Sequence, residues 1–302
     1  MAAGSNAFYS QQYASAVELA AQQMRPRIAT SFSPMTGEGK AATVVNLIDA
    51  FEADERSALY DPIVFAAPTH TRPWVYPRFF DKALPFDSIE QMQMNANPQS
   101  EYVMGVVAAI NRKMDDEAIR AFFADRNLEG TAGVATDSFN TSTNQVGVNV
   151  GGSATGLNVE KLQNAFQIFE ENEVLLEGDD AGVEEVYCVI SPKQKRNLMN
   201  EIEVTSGDFF KGQVMSTRNV NGFLSVNFIV SNRLQTDSSG YRKVPIYTKR
   251  GMNFTTWGGG LKTNVSQETQ LRGQPWQVYG SGNFGAVRRD AKRVVQILCS
   301  EA

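Results

Sequence analysis

The stretch from Glu185 to Asn232 constrains this chain most, because it spells strand, helix, loop and strand in succession. Val186 to Ile190 is a continuous apolar run, the pattern of a strand buried on both faces. Ser191-Pro192 follows, with a hydroxyl suited to cap a helix and a proline suited to its first position. Ser206-Gly207-Asp208 closes that segment. Leu224, Val226, Phe228 and Val230 then alternate with Ser225, Asn227 and Ile229, which predicts a second strand with one strongly apolar face. No nucleophile, metal ligand or phosphate loop decorates the unit, so it reads as scaffold.

The remaining chemistry is equally sparse. His70 is the only histidine and lies among prolines, in APTHTRPW, so neither a serine triad nor a histidine-based zinc site is expected. Gly37-Glu38-Gly39-Lys40 lacks the first glycine of a phosphate loop, where Pro34 stands, and Ala41 replaces the hydroxyl that would hold magnesium. Gly151-Gly152-Ser153-Ala154-Thr155 misses the second glycine of a nucleophile elbow. The acidic pairs Asp115-Asp116 and Asp179-Asp180 read as solvated charges. Arg288-Arg289 and Lys292-Arg293 read as a small basic cluster that pairs with acids of the same or a neighbouring chain rather than with DNA.

The 302 residues suffice for one large core or two modest ones, and 42% apolar with 20% charged residues is ordinary globular composition. The net charge of -5 argues against a groove built to neutralise many phosphates. Cys188 and Cys299 sit in the apolar runs VYCVI and VVQILC, and read as small buried hydrophobes rather than as a disulfide. The N-terminal residues lack a basic region and carry Glu18, unlike a signal peptide. No run approaches the roughly 18 apolar residues of a membrane span.

Along the chain, Tyr9, Tyr13, Val17, Ala20 and Met24 predict a helix over residues 9–24, ended by Arg25-Pro26. Residues 27–86 carry a brief helical pattern at Val44, Leu47, Ile48 and Phe51, flanked by extended, proline-punctuated chain. Two limbs of about 20 residues would span about 65 Å, against a radius of gyration near 19 Å for a compact domain of this size. The segment is therefore expected to project and to complete its packing on another subunit. Residues 98–125 give the strongest helix signal, with Asn97-Pro98 as its start. A strand is expected at Val146–Val150, a flexible passage at Gly151-Gly152 and Gly156, a helix at Leu157–Phe169, a strand at Val244–Thr248, a turn at Gly258-Gly259-Gly260 and a last strand at Val294–Cys299.

Taken together, VYCVISPKQKRNLMNEI, VTSGDFFKGQ and GFLSVNFIVSNRL, with THTRPWVYPRFFDKALPFD and the C-terminal NFGAVRRDAKRVVQILCSE, resemble the major capsid proteins of tailed bacteriophages. The resemblance spans nearly the whole chain in order of elements. It implies an α+β protein of the Hong Kong 97-type capsid fold, with axial and peripheral domains, a long spine helix, an extended loop and an N-terminal arm. The expected division is arm 1–30, extended loop 31–85, peripheral domain 86–156 and 235–285, and axial domain 157–234 and 286–302.

The resemblance further implies a structural protein, without enzymatic activity or cofactor, that forms hexamers and pentamers of an icosahedral virion shell around double-stranded DNA. The expected partners are copies of itself, a scaffolding protein (no fused scaffold extension is evident), a portal protein, a decoration protein, and packaged DNA held without specific binding. No membrane is involved, and assembly is expected in the host cytoplasm. An encapsulin-like cellular shell is the alternative on the same fold, and an α/β enzyme or ligand-binding protein a more remote one. Candidate inter-subunit contacts are Lys40, Arg72, Trp74, Tyr76, Arg78 and Phe79 in the extended loop.

Overall fold

The computed structural model describes residues 19–43, 47–48, 51–53, 55, 63, 65, 67, 70–86, 99–128, 136–174, 184–201 and 223–301. Most of the helix expected at 9–24, the Asn97-Pro98 start, Ser206-Gly207-Asp208 and Asp179-Asp180 lie outside the described residues. In chain order the strands are β1 (Ser33–Gly37), β2 (Ala42–Thr43), β3 (Leu47–Ile48), β4 (His70–Thr71), β5 (Trp74–Val75), β6 (Arg78–Phe86), β7 (Arg126–Asn127), β8 (Thr136–Asp137), β9 (Gln145–Val146), β10 (Asn149–Val150), β11 (Ser153–Ala154), β12 (Val186–Ile190), β13 (Val226–Val230), β14 (Arg242–Thr248), β15 (Met252–Gln267), β16 (Trp276–Arg288) and β17 (Val294–Cys299). The α-helices are α1 (Gln99–Phe123), α2 (Val159–Glu171) and α3 (Pro192–Asn200).

Two compact units emerge. The larger contains Pro26–Arg78, Met114–Gly259 and Asn283–Ala302. Its centre is a five-stranded sheet in the order β13-β12-β14-β17-β9. Cys188 of β12 lies beside Phe228 in the parallel neighbour and beside Ile246 in the antiparallel one. Val189, Ile190, Val244, Ile246, Val294, Val295 and Ile297 are fully buried, as two-sided cover of a central sheet requires. β14 lies between β12 and β17, so this sheet joins strands from both sides of the 234/235 boundary expected from sequence.

The strand-to-helix corner after β12 forms as its residues dictate. Ser191 caps α3 by accepting from the Gln194 N–H, and the Gln194 side chain accepts from the Ser191 N–H at 2.8 Å, a capping box with proline at the first helical position. α2 packs its apolar face (Leu162, Ala165, Phe169) next to β17 and β9. Lys161 is also fully buried there, and its Nζ donates to the carbonyls of Thr155 at 2.8 Å and Leu298 at 2.9 Å. Both cysteines are free and buried.

The smaller unit contains Phe79–Lys113 and Gly260–Gly282, with the described residues up to Arg25. Within it β16 lies between β15 and β6. α1 lies close against this sheet: a Cβ on Gly280 would come within 2.4 Å of Val106, and Phe86 meets Tyr102 edge-on at 6.0 Å. Asn111 Nδ2 donates to the Met24 carbonyl at 2.8 Å.

Several expectations need correction. Residues 19–24 are not helical. Leu47 and Ile48 form a strand rather than a helix, because they find antiparallel partners in Thr71 and His70. The 146–150 strand is broken into β9, which joins β17, and β10, which pairs with β11. Gly258, Gly259 and Gly260 do not end a strand. They lie inside β15 with φ of 60°, 87° and 74°, a run of left-handed residues that only glycine adopts cheaply. Asp115 is not a solvated charge but is buried, while the basic cluster pairs with acids of the same chain as expected, Arg288 with Asp137 at 3.9 Å and Arg293 with Asp290 at 3.2 Å.

Candidate assembly surface

The expectation that residues 27–86 as a whole await a neighbour is corrected by their ends. Asp115 in α1 is buried, and its carboxylate accepts from the backbone N–H of Arg27 at 3.0 Å, Ile28 at 3.0 Å and Ala29 at 3.2 Å. Ser31 and Tyr247 share a hydroxyl–hydroxyl hydrogen bond of 2.5 Å. Phe32 is buried edge-on against Phe122 at 5.3 Å and Tyr247 at 5.5 Å. The chain therefore enters the segment from a fixed point.

From there β1 runs parallel to β15, with Gly37 beside Trp257. A Cβ at Gly37 would lie 2.3 Å from the Trp257 ring, so the indole occupies the space of the missing side chain. Trp257, Ala42, Val75 and Val287 make a small core with Met35 against it. β2 pairs with β5 across this core, bringing Ala42 opposite Val75 and Thr43 opposite Trp74. Arg78 closes the base by donating to Glu117 at 2.7 Å. Glu117 is buried and also binds Arg120, and that hydrogen bond is the main cause of the raised Arg120 pKa. Removing one arginine would leave a buried carboxylate short of counter-charge.

Beyond this base, cover is lost. Phe51 and Ile63 are each 80% exposed, Phe65 is 90% exposed and Ile48 is 58% exposed. Single exposed apolar residues are ordinary, but four within residues 48–65 mark an interaction surface.

The six sequence candidates separate into two groups. Trp74 and Tyr76 are half-buried, and with Arg78 they belong to the base; the Tyr76 hydroxyl is buried without a hydrogen-bond partner among the described residues. Lys40 and Arg72 are exposed, and Phe79 is 72% exposed on β6. Residue-level reading missed Ile63 and Phe65, whose only signal was apolar character within a proline-rich, non-periodic segment. Phe51 was assigned to a helical pattern. His70 is exposed in β4.

Arg288 is a buried cation, as Lys161 and Arg126 are. Its guanidinium donates to the carbonyls of Phe122 at 2.8 Å and Ala124 at 3.2 Å, at the end of α1, and lies 5.2 Å from the Phe139 ring. Burial lowers its pKa to about 10, and Arg126 adds to that shift. The arrangement satisfies helix-terminal carbonyls, which suits a framework role. Among the described residues, no group of three or more His, Cys, Asp or Glu could hold a metal ion, and no helix is long and apolar enough to cross a membrane.

A mixed fold whose residues 27–37 are anchored, and which exposes apolar side chains at residues 48–65, fits a protein that associates through that segment. The comparisons specify the kind. Solved structures with the same fold include the capsid of cyanophage Pam1 (TM-score 0.74, 11% identity, covering 99% of this chain and 98% of that one). Mycobacterium phage Che8 gives a TM-score of 0.69 at 11% identity, covering 97% and 98%. The capsid of cyanophage P-SCSP1u gives 0.64 at 13% identity, covering 98% and 94%. No curated protein sequence matches. The model of the phage capsid protein family matches residues 5–301, and the chain belongs to that family. It is a structural capsid protein of the virion with the α+β capsid fold, as the sequence resemblance implied.

Proposed function

We propose that this chain self-assembles into hexamers and pentamers of an icosahedral shell that encloses double-stranded phage DNA. The observation that carries the reading is the contrast within one segment: Ile28 and Phe32 are buried at its base, while Phe51 and Phe65 stand 80% and 90% exposed beyond it. Burying an exposed large apolar side chain contributes about 1.5–3 kcal/mol. A closed lattice sums such modest contacts over many copies.

In this reading the five-stranded sheet forms the axial domain, from residues 157–234 and 286–302 with β9 and β14 added. The peripheral domain takes the remainder of 86–156 and of 235–285, with α1 as the spine helix. Residues 1–30 form the arm. Lys40, Arg72 and Phe79 join the exposed apolar residues in contacts between subunits, while Trp74, Tyr76 and Arg78 hold the base that presents them. A scaffolding protein guides assembly in the host cytoplasm, a portal protein occupies one vertex and a decoration protein is a further partner. DNA is enclosed without specific binding, in keeping with the net charge of -5.

Co-expression with the phage scaffolding protein, followed by negative-stain microscopy, tests the proposal. Closed particles are expected. A folded monomer that persists at high concentration under all assembly conditions would refute it.

A further inference from the structure

Three arginines and two carboxylates gather around the loops before β12, after β14 and between β16 and β17. Arg293 binds both acids: its Nη1 donates to Glu184, and its Nε donates to Asp290 at 3.2 Å. Each acid has a second claim on it. Glu184 accepts from the Arg250 N–H at 3.3 Å, and Asp290 accepts from the Lys292 N–H at 3.0 Å.

Arg289 is the cation left over. Its backbone N–H donates to the Gly251 carbonyl at 2.9 Å, which fixes its position. Among the described residues its guanidinium has no hydrogen bond and no close ion pair. It is half-buried, and burial, then Arg293, lowers its pKa. A guanidinium stays charged under these conditions and presents five donors in a planar fork suited to a carboxylate. The fold thus presents a backbone-fixed cation that an anion from outside the subunit can reach.

The complementary group lies in the exposed segment. Residues 51–55 read Phe-Glu-Ala-Asp-Glu. Glu52 and Glu55 are exposed, beside Phe51, and among the described residues neither is ion-paired. Covering Phe51 on another copy would bring these acids with it. We infer that Arg289 is the socket for the Glu52 or Glu55 carboxylate from a second copy of this chain. The inference rests on the reading of the chain as a shell subunit. Packaged DNA could also offer an anion, but it does not account for the acids that travel with an apolar side chain in need of cover.

The test compares shell yield, by sedimentation and negative stain, for wild type, Arg289→Glu, Glu52→Arg with Glu55→Arg, and all three changes together, each co-expressed with scaffold. Either side alone is expected to lower the yield of closed shells about tenfold or more, one lost contact being repeated at every subunit. The combined variant is expected to recover most of it. Arg289→Gln, which is gentler on folding, should give a smaller loss in the same direction.

Wild-type yield from Arg289→Glu and Arg289→Gln would overturn the inference. So would a combined variant no better than Arg289→Glu alone in a chain that stays folded. Full shells of Arg289→Glu that fail only to retain DNA would overturn it in favour of a phosphate contact. Absence of shells from wild type would instead refute the shell-subunit reading, and the inference with it.

Discussion

The Asp115 carboxylate accepts the backbone N–H of Ile28 at 3.0 Å, joining the middle of α1 to the start of the extended segment. The neighbouring N–H groups of Arg27 and Ala29 use the same carboxylate. A peptide segment with little regular structure is thus given one buried, charge-assisted acceptor for three donors. The consequence is a segment rigid at its root and open further out.

Asp115→Ala leaves those donors buried without a partner. Each unmade hydrogen bond of this type costs roughly 1–3 kcal/mol, and loss of shared geometry makes the total less than additive. We expect about 2–4 kcal/mol of destabilisation by urea unfolding, with faster amide exchange at residues 27–32. Unchanged exchange there would show that the segment is held by other contacts.

Gly37→Ala should be more harmful than a change of one methyl group suggests. The added Cβ meets the Trp257 ring at 2.3 Å, and Trp257 is itself locked in the Ala42–Val75–Val287 core. Overpacking of this kind costs about 1–3 kcal/mol. A lower Tm with shifted tryptophan fluorescence is expected, while the equivalent change at Gly147, where the site is open, should have little effect.

Alkaline pH should weaken the subunit through its thiols. Burial raises Cys188 well above its ordinary 9.0, and raises Cys299 from 9.0 to about 12. The folded state therefore holds these protons where the unfolded state releases them. Their stabilising contribution is complete below pH 9 and is lost as pH rises from 9 toward 12. Urea midpoints measured across that range should fall, and Cys299→Ala should make the fall shallower. An identical slope in the variant would exclude Cys299 as a cause.

Phe51→Ser and Phe65→Ser should separate folding from assembly. Both side chains are largely solvated, so unfolding free energy should change by no more than about 0.5 kcal/mol. Light scattering should nevertheless show assembly only at higher subunit concentration, because each loses apolar burial of about 1.5–3 kcal/mol at an interface. Normal assembly of both variants would place the contact elsewhere.

Legibility from sequence followed the range of the interactions. β12, the Ser191 cap, α1 and β17 were readable because periodicity and capping are local properties. The strand at Leu47–Ile48 was not, because two residues carry no period and their partners, Thr71 and His70, lie far along the chain. The parallel match of Ser33 with Asn253 was likewise invisible. Asp115 looked like a solvent charge because its partners are backbone N–H groups, which leave no side-chain signature. Of the candidate surface, the segment was legible, but its division into buried base and exposed reach required the tertiary contacts.

The most direct test excises residues 47–71 and bridges the gap with a short glycine-serine linker, leaving β1, β2 and β5 in place, and follows both thermal unfolding and shell formation with scaffold. The account predicts a subunit that unfolds within a few degrees of wild type and forms no closed shells. Closed shells in normal yield from this variant would contradict it.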